Sequence, residues 1–171
     1  MNELLARKFI YQNARPLDLA RWQFCFENGS REAVFTALAV YQNDDGGFGH
    51  GLEPDCWNPN SSPIQTWAAT EIIRETGLEE KEHPLVQGIL RYLASGKDFD
   101  GHTWANTITT NNDAPHAPWW QHASNHEISY NPTASRITFI FEFADSESEL
   151  FALALKLAKE AYLYFKSHFP L

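Results

Sequence analysis

The sequence has few cysteines, few basic residues and no long apolar run. Two cysteines in 171 residues cannot form a disulfide framework and fit a reducing compartment, so we expect a cytoplasmic protein. Thirteen Lys and Arg residues against 22 Asp and Glu give a net charge of −9, which argues against nucleic acid as a partner. No apolar stretch approaches the roughly 18–20 residues of a membrane span, and none follows Met1 as a secretory signal would.

Apolar and aromatic residues are plentiful, at 43% and 14%, which is enough for the core of one domain over residues 1–171. Helical periodicity and capping residues predict an all-α fold, and no segment is convincing as a strand. Residues 43–63 and 96–130 show neither the helical nor the strand periodicity of apolar residues, so we expect two long loops there. Loops of that length tend to be functional. The predicted helices lie near 2–13, 16–26, 31–41, 64–76, 84–94, 131–143 and 147–166.

Two blocks of the chain look alike. In each block a helix leads to an Asp-Gly turn that ends in an aromatic residue, and a loop and a proline-initiated helix follow. The turns are 45–48 and 100–104. We expect Gly46 and Gly47 to adopt positive φ and the aromatic residue to pack between neighbouring repeats. The alternative is a chance likeness between two helix–loop–helix units.

The stretch from Ala37 to Phe48 resembles the QW-type repeat of the terpenoid cyclase and protein prenyltransferase superfamily, because an apolar helix end is followed by Gln42, a polar gap, glycine and an aromatic residue. The second block resembles a degenerate copy that lacks the glutamine. Segments 50–55 and 115–120 resemble an uncharacterised bacterial branch of the superfamily. The resemblance spans about residues 30–143 and implies an α/α toroid, in which helix pairs surround a central cavity.

The activities of that superfamily do not carry over to this sequence. Class II cyclases use an Asp-x-Asp-Asp acid, where this chain has only Asn43, Asp44 and Asp45 in a turn. The zinc site of the prenyltransferases has no equivalent, because Asp55 and Cys56 are adjacent and no matching motif follows. With about three helix pairs, the chain is expected to form a partial toroid: a half-ring, a fragment of a longer protein or one half of a homodimer.

The two long loops hold the residues that could carry chemistry, and stacked repeats would bring both loops to one cleft. Carboxylates and histidines at this cleft could do acid/base work, and tryptophans could enclose a cyclic ligand. The alternative is that the carboxylates cap helices and turns while the tryptophans fill a loop core. The candidate catalytic residues are Glu53, Asp55, Asp113, His50 and His116, and the candidate ligand-binding residues are Trp57, Trp104, Trp119 and Trp120.

We expect no metal and no cofactor. His122 and His126 are four residues apart, but the Glu of a His-Glu-x-x-His zinc site is missing. Cys56 has no basic neighbour that would activate it as a nucleophile. The glycine-rich stretch 46–49 has no lysine nearby and opens no helix, so it does not predict a phosphate site.

Three functions remain open from the sequence. The leading hypothesis is a cleft that binds or transforms an apolar or cyclic small molecule of isoprenoid type. The second is carbohydrate binding or glycan processing by the same carboxylates. The third is a non-catalytic repeat scaffold for protein interaction. An apolar cavity wall would favour the first hypothesis, and polar groups around aromatic faces would favour the second.

Overall fold

The computed structural model describes residues 3–123 and 130–168, and the regular structure of these residues is helical. The predicted all-α class is therefore confirmed, with isolated β-bridges in place of strands in the described ranges. The α-helices are α1 (Glu3–Asn13), α2 (Pro16–Phe26), α3 (Arg31–Ala39), α4 (Pro63–Glu75), α5 (Pro84–Ala94), α6 (Asn131–Phe143) and α7 (Glu149–His168); short 3₁₀ helices lie at Thr109–Asp113 and Pro118–Trp120. No helix in these two ranges is long and apolar enough to cross a membrane.

Serine caps explain where α3 and α4 begin. The hydroxyl of Ser30 accepts a hydrogen bond from Ala33 N at 3.1 Å, and that of Ser62 accepts one from Gln65 N at 3.3 Å. Helix α3 ends at Ala39, two residues before the predicted end at Tyr41. The backbone tightens there, because the amides of residues 41 and 42 bond to the carbonyls three residues earlier rather than four.

Helix α6 packs against both α4 and α7, and α2 packs against both α1 and α3. The apolar face of α5 is buried in the same core. Helix α1 has no buried side chain. The core includes one aromatic residue from each of the two similar blocks, Phe48 and Trp104.

The two similar blocks fold alike at their turns. In the first turn segment, residues 41–49, Gly49 N donates to Tyr41 O at 3.0 Å; in the second turn segment, residues 98–105, Ala105 N donates to Asp98 O at 2.8 Å. Between these ends, residue 42 pairs with 48 and residue 99 pairs with 104. The two segments are therefore equivalent units of the fold, and Phe48 occupies the position that Trp104 takes in the other block.

A threonine of the following helix holds each aromatic residue in place. Phe48 N donates to Thr66 Oγ1 at 3.0 Å, and Trp104 N donates to Thr133 Oγ1 at 3.1 Å. Each turn segment is thus attached to the N-terminal part of the next long helix, α4 in the first block and α6 in the second. This contact fixes both where the aromatic side chain enters the core and where the loop after it starts.

The prediction of positive φ at both glycines of the first turn is half wrong. Gly46 has φ +87°, whereas Gly47 is not among the positive-φ residues. Gly47 is needed for close packing instead, since an added Cβ would lie 2.6 Å from Ser61 Cβ and 2.7 Å from Tyr92 Cδ2.

Candidate functional site

The two long loops meet along a short antiparallel pairing. Trp57 N donates to Pro115 O at 2.9 Å, and Ala117 N donates to Asp55 O at 2.8 Å. Between these hydrogen bonds, Cys56 and His116 form an isolated bridge. The expected encounter between the chain near residue 53 and the chain near residue 116 is therefore confirmed.

A pair of buried asparagines locks the loops together. Asn58 Nδ2 donates to Asn111 Oδ1 and to Thr110 Oγ1, both at 2.9 Å, and Asn111 Nδ2 donates to Trp120 O at 3.0 Å. Both asparagine side chains are fully buried. The sequence analysis missed them; the available signal was a run of asparagines in each loop, which by itself does not reveal burial.

The two acids of the first loop have different surroundings. The Asp55 carboxylate accepts the indole N–H of Trp120 and is thereby tied to the second loop. Glu53 is half-buried, and no hydrogen bond to its carboxyl group exists among the described residues. Burial and the neighbouring Asp55 charge raise the pKa of Glu53, and the charge of Arg15 acts in the opposite direction.

Asp113 and His116 have other surroundings. Asp113 is exposed at the end of the first 3₁₀ helix, and no described hydrogen bond joins it to Glu53 or Asp55. The ring of His116 lies with Nδ1 2.6 Å from Ala114 O and Nε2 3.0 Å from Gln121 Oε1. These acceptors raise the pKa of His116. The contacts shape the second loop, and among the described residues no hydrogen bond joins the His116 ring to the carboxyl groups of Glu53 and Asp55.

The four tryptophans do not form one wall. Trp57 is 65% exposed and donates its indole N–H to Pro54 O at 2.8 Å, while Trp119 is 67% exposed and Trp120 is half-buried. Trp104 is 1% exposed and lies in the core, with its ring centroid 4.8 Å from that of Phe99. We therefore do not count Trp104 among the residues that enclose a ligand beside Trp57.

A pocket of about 430 Å³ opens beside the first loop; we call it the Trp57 pocket. It lies between the loop and the chain just before α2, and the rings of Tyr41 and Trp57 give it an aromatic lining. Two prolines and a glycine add apolar surface, and Arg15 and His50 supply polar groups. Its lining residues are Arg15, Tyr41, His50, Gly51, Pro54, Trp57 and Pro59.

Arg15 is the main residue of this pocket that the sequence analysis missed. Its guanidinium donates to Gly51 O at 2.6 Å, pairs with Asp18 at 2.7 Å and lies 5.8 Å from the centroid of the Tyr41 ring. These contacts fasten the loop to the start of α2. No local pattern marks this arginine as a loop contact, because Gly51 lies 36 residues away along the chain.

His50 is held at the pocket in a left-handed backbone conformation. Its φ is +58°, an uncommon value for a residue other than glycine. The conformation is supported by His50 N, which donates to Asn58 O at 2.9 Å, and by the ring Nε2, which lies 2.8 Å from Asn43 Oδ1. The imidazole position is therefore fixed from two sides.

Within residues 3–123 and 130–168, no group of three or more His, Cys, Asp or Glu side chains could hold a metal ion. His126, which the sequence analysis weighed as a ligand, lies outside the described residues. Cys56 is buried, and burial raises the pKa of its thiol, which disfavours the nucleophilic thiolate.

Comparison of this chain with family models, with curated proteins and with solved structures gave no match.

Proposed function

We propose that this chain binds a small cyclic molecule in the Trp57 pocket and that Glu53 exchanges a proton with it. The observation that supports the proposal is an aromatic pocket lined by Arg15 and Pro54. Glu53, which directly precedes Pro54, is a half-buried carboxyl group without a hydrogen-bond partner in the described chain, and the charge of Arg15 acts on it. A carboxyl group with a raised pKa holds its proton closer to neutral pH, which suits a general acid.

The pocket offers a ring-shaped ligand flat surfaces on which to stack. The indole of Trp57 and the phenol of Tyr41 are planar, and Pro54 and Pro59 complete an apolar boundary. The volume falls within the range of small-molecule sites. In this arrangement Trp57 and Tyr41 bind the ligand, and Asp55 supplies the negative charge that keeps the proton on Glu53.

A sugar ring is the second candidate ligand, and one observation favours it over an isoprenoid chain. Arg15 and His50 place polar groups beside the aromatic surfaces of the pocket. Hydroxyl groups at the edge of a ring can bond to such groups while the face of the ring stacks on Trp57. An isoprenoid chain has no hydroxyl groups along its length that could bond to them.

The wider proposal is that the helices form a partial α/α toroid in a cytoplasmic protein that pairs with a second copy. The two equivalent turn segments support the repeat architecture, and the free cysteines fit a reducing compartment. Exposed apolar side chains on the first and last helices, such as Phe9 and Leu163, support self-association. Light scattering of the protein as it elutes from a size-exclusion column tests the pairing. A mass equal to that of one chain would contradict the dimer.

The ligand proposal is tested by thermal-shift titration with farnesol and with a panel of mono- and oligosaccharides. Trp57→Ala is the test variant, and Trp119→Ala is its matched control, because Trp119 is equally exposed but does not line the pocket. A ligand at 100 times its Kd stabilises the folded state by about 2.7 kcal/mol. We expect that stabilisation in the parent chain and the control but not in Trp57→Ala.

Equal stabilisation of both variants would place the ligand elsewhere. If neither class of compound stabilises the parent, the scaffold hypothesis is favoured instead. Glu53→Gln separates binding from chemistry, because it should keep the ligand-induced shift while it removes the exchangeable proton.

A further inference from the structure

A second pocket, of about 280 Å³, lies at the second turn segment. Two of its lining residues hold the same positions in the second block as two lining residues of the Trp57 pocket hold in the first. Asp98 is the equivalent of Tyr41, and Asn106 is the equivalent of His50. Asp98 and Asn106 line the second pocket, whereas Tyr41 and His50 line the Trp57 pocket. We call this cavity the Trp104 pocket.

Two buried polar atoms of lining residues have no hydrogen-bond partner. They are the indole Nε1 of Trp104, a donor, and the side-chain Oδ1 of Asn106, an acceptor. Leaving a buried polar group unpaired is costly, so such groups in a folded protein call for an explanation. Here one donor and one acceptor belong to residues that line the same cavity.

The first block provides an internal comparison. At the position of Trp104 it has Phe48, which fills the core and forms the equivalent backbone hydrogen bond to a threonine. A phenyl ring is therefore sufficient for packing at this position. The indole N–H is the additional feature of the second block, and its nitrogen is buried without a hydrogen-bond partner.

Two acids also line the pocket. Asp98 is half-buried in a left-handed conformation with φ +57°, and its carboxyl oxygen lies 3.5 Å from the hydroxyl of Tyr92. Burial raises the pKa of Asp98. Asp100 uses its carboxylate to accept hydrogen bonds from the amides of residues 102 and 103, at 2.8 and 2.7 Å. A ligand carboxylate or phosphate would be repelled by these two acids. A metal ion is not favoured either, because no group of three or more His, Cys, Asp or Glu side chains in the described ranges could hold one.

From these contacts we infer that the Trp104 pocket binds a small polyhydroxylated molecule, with one hydroxyl group accepting from the indole of Trp104 and a hydroxyl group donating to Asn106. A hydroxyl group both donates and accepts, so it can satisfy both unpaired atoms. The size of the cavity limits the ligand to about that of a single sugar or cyclitol ring. The site is separate from the Trp57 pocket, and the inference does not depend on the function proposed there.

The test uses the indole N–H signals of ¹⁵N-labelled protein, in which each of the six tryptophans gives its own cross-peak. Myo-inositol and glucose are titrated as probes, with acetate and Ca²⁺ as representatives of the two excluded charge classes. The Trp104 signal is assigned as the one absent from Trp104→Phe, a variant that copies the residue of the first block. We expect this signal to shift saturably with a polyol and with neither ion.

Variants then measure the contribution of each unpaired atom. Trp104→Phe and Asn106→Ala should each raise the Kd of the polyol by roughly 3- to 10-fold, as expected for the loss of one neutral hydrogen bond. Trp22→Phe is the control, because it removes an indole N–H outside both pockets and should leave the Kd unchanged. Asn106→Ala alone carries the test if the tryptophan variant does not fold.

The inference is overturned if neither polyol shifts the Trp104 signal, which is the outcome expected if a single water molecule satisfies both atoms. It is equally overturned if only an ion shifts that signal, or if Asn106→Ala binds as the parent does. A polyol that shifts the Trp57 signal alone would support the function proposed for the Trp57 pocket and contradict this one. The two proposals can therefore fail separately.

Discussion

At the scale of single residues, the carboxyl group of Glu53 is placed where ionisation is unfavourable. Burial and the charge of Asp55 raise its pKa above the ordinary 4.5, so the folded chain binds this proton more tightly than the unfolded chain does. The contribution of Glu53 to stability is therefore greatest at pH values below 4.5 and is lost as pH rises through the folded-state pKa.

Glu53→Gln should raise the melting temperature at pH 7, because the amide removes the cost of an ionised carboxylate. The difference from the parent should shrink as the pH falls towards 4, where the carboxyl group is protonated in both states. Thermal melts across this range measure it. The same change at the exposed Glu80 is the control, and a Glu53 variant that melts below the parent at pH 7 would contradict the prediction.

Arg136 is a second residue whose charged side chain is unfavourable in the folded state. It is fully buried, only its Nε has a partner, Pro63 O at 3.1 Å, and both terminal nitrogens are unpaired. Burial lowers its pKa to about 9, whereas the unfolded chain keeps the proton up to the higher pKa of an ordinary arginine. The cost of the buried charge is thus present at every pH below about 9 and decreases as pH rises above that value.

Arg136→Met should stabilise the protein by about 1–4 kcal/mol at pH 7, because an apolar side chain of similar length replaces an uncompensated charge. Arg136→Lys should destabilise it, since the charge stays and the hydrogen bond to Pro63 is lost. Urea unfolding measures both changes. A methionine variant less stable than the parent would mean that the guanidinium has partners of its own in solution.

At the scale of elements, the two turn segments separate the need for a positive φ from the need for close packing against a helix. Gly46 and Gly101 both have positive φ, +87° and +98°. A Cβ on Gly46 would lie 2.1 Å from Gly88 O in α5, whereas a Cβ on Gly101 would meet nothing within 4 Å. The first turn must therefore approach a helix backbone closely, and the second need not.

Gly101→Ala should destabilise the protein by about 1–2 kcal/mol, which is the cost of the left-handed conformation alone. Gly46→Ala should cost clearly more, because the carbonyl of Gly88 has to move as well. Chemical denaturation of the two variants in parallel measures the difference. Equal losses would show that the close approach to α5 relaxes without cost.

Periodicity and capping residues predicted the helices well, because those signals are local. The meeting of the two loops also followed from the sequence, through the repeat. Trp104 and Trp119 lie in the same loop and are the same residue type, and only their place in the block separates core from surface. The repeat already paired Trp104 with Phe48, so that signal could have removed Trp104 from the cleft.

Arg15 and Asn58 could not be found in this way. Each holds a loop through a contact more than 30 residues away, Arg15 with Gly51 and Asn58 with Asn111, and no periodicity or motif marks such pairs. Their importance follows only from the path of the loops. The sequence therefore located the loops of the candidate site, and the structure supplied the residues that hold them.

At the scale of the whole molecule, the hydrogen bond between Asn58 and Asn111 connects the two blocks. Asn58→Ala or Asn111→Ala should each cost about 1–3 kcal/mol, because each leaves a buried polar partner unsatisfied. The double variant should cost less than the sum, since the second change removes the group that the first left unpaired. Urea unfolding of the four forms measures the coupling, and strictly additive losses would mean that the loops close without this pair.

Helix α1 is attached in a different way from the rest of the molecule. It buries no side chain, and two of its side chains bind the carboxylate of Glu27, just after α2: Arg7 pairs with it at 2.9 Å and Tyr11 donates to it at 2.6 Å. Ionic strength weakens exposed charge pairs and leaves apolar burial largely intact. In native-state hydrogen exchange, the amide protons of α1 should therefore exchange through local unfolding of this helix, and salt should raise their exchange rate. The amide protons of α5 and α6 should exchange much more slowly, through global unfolding.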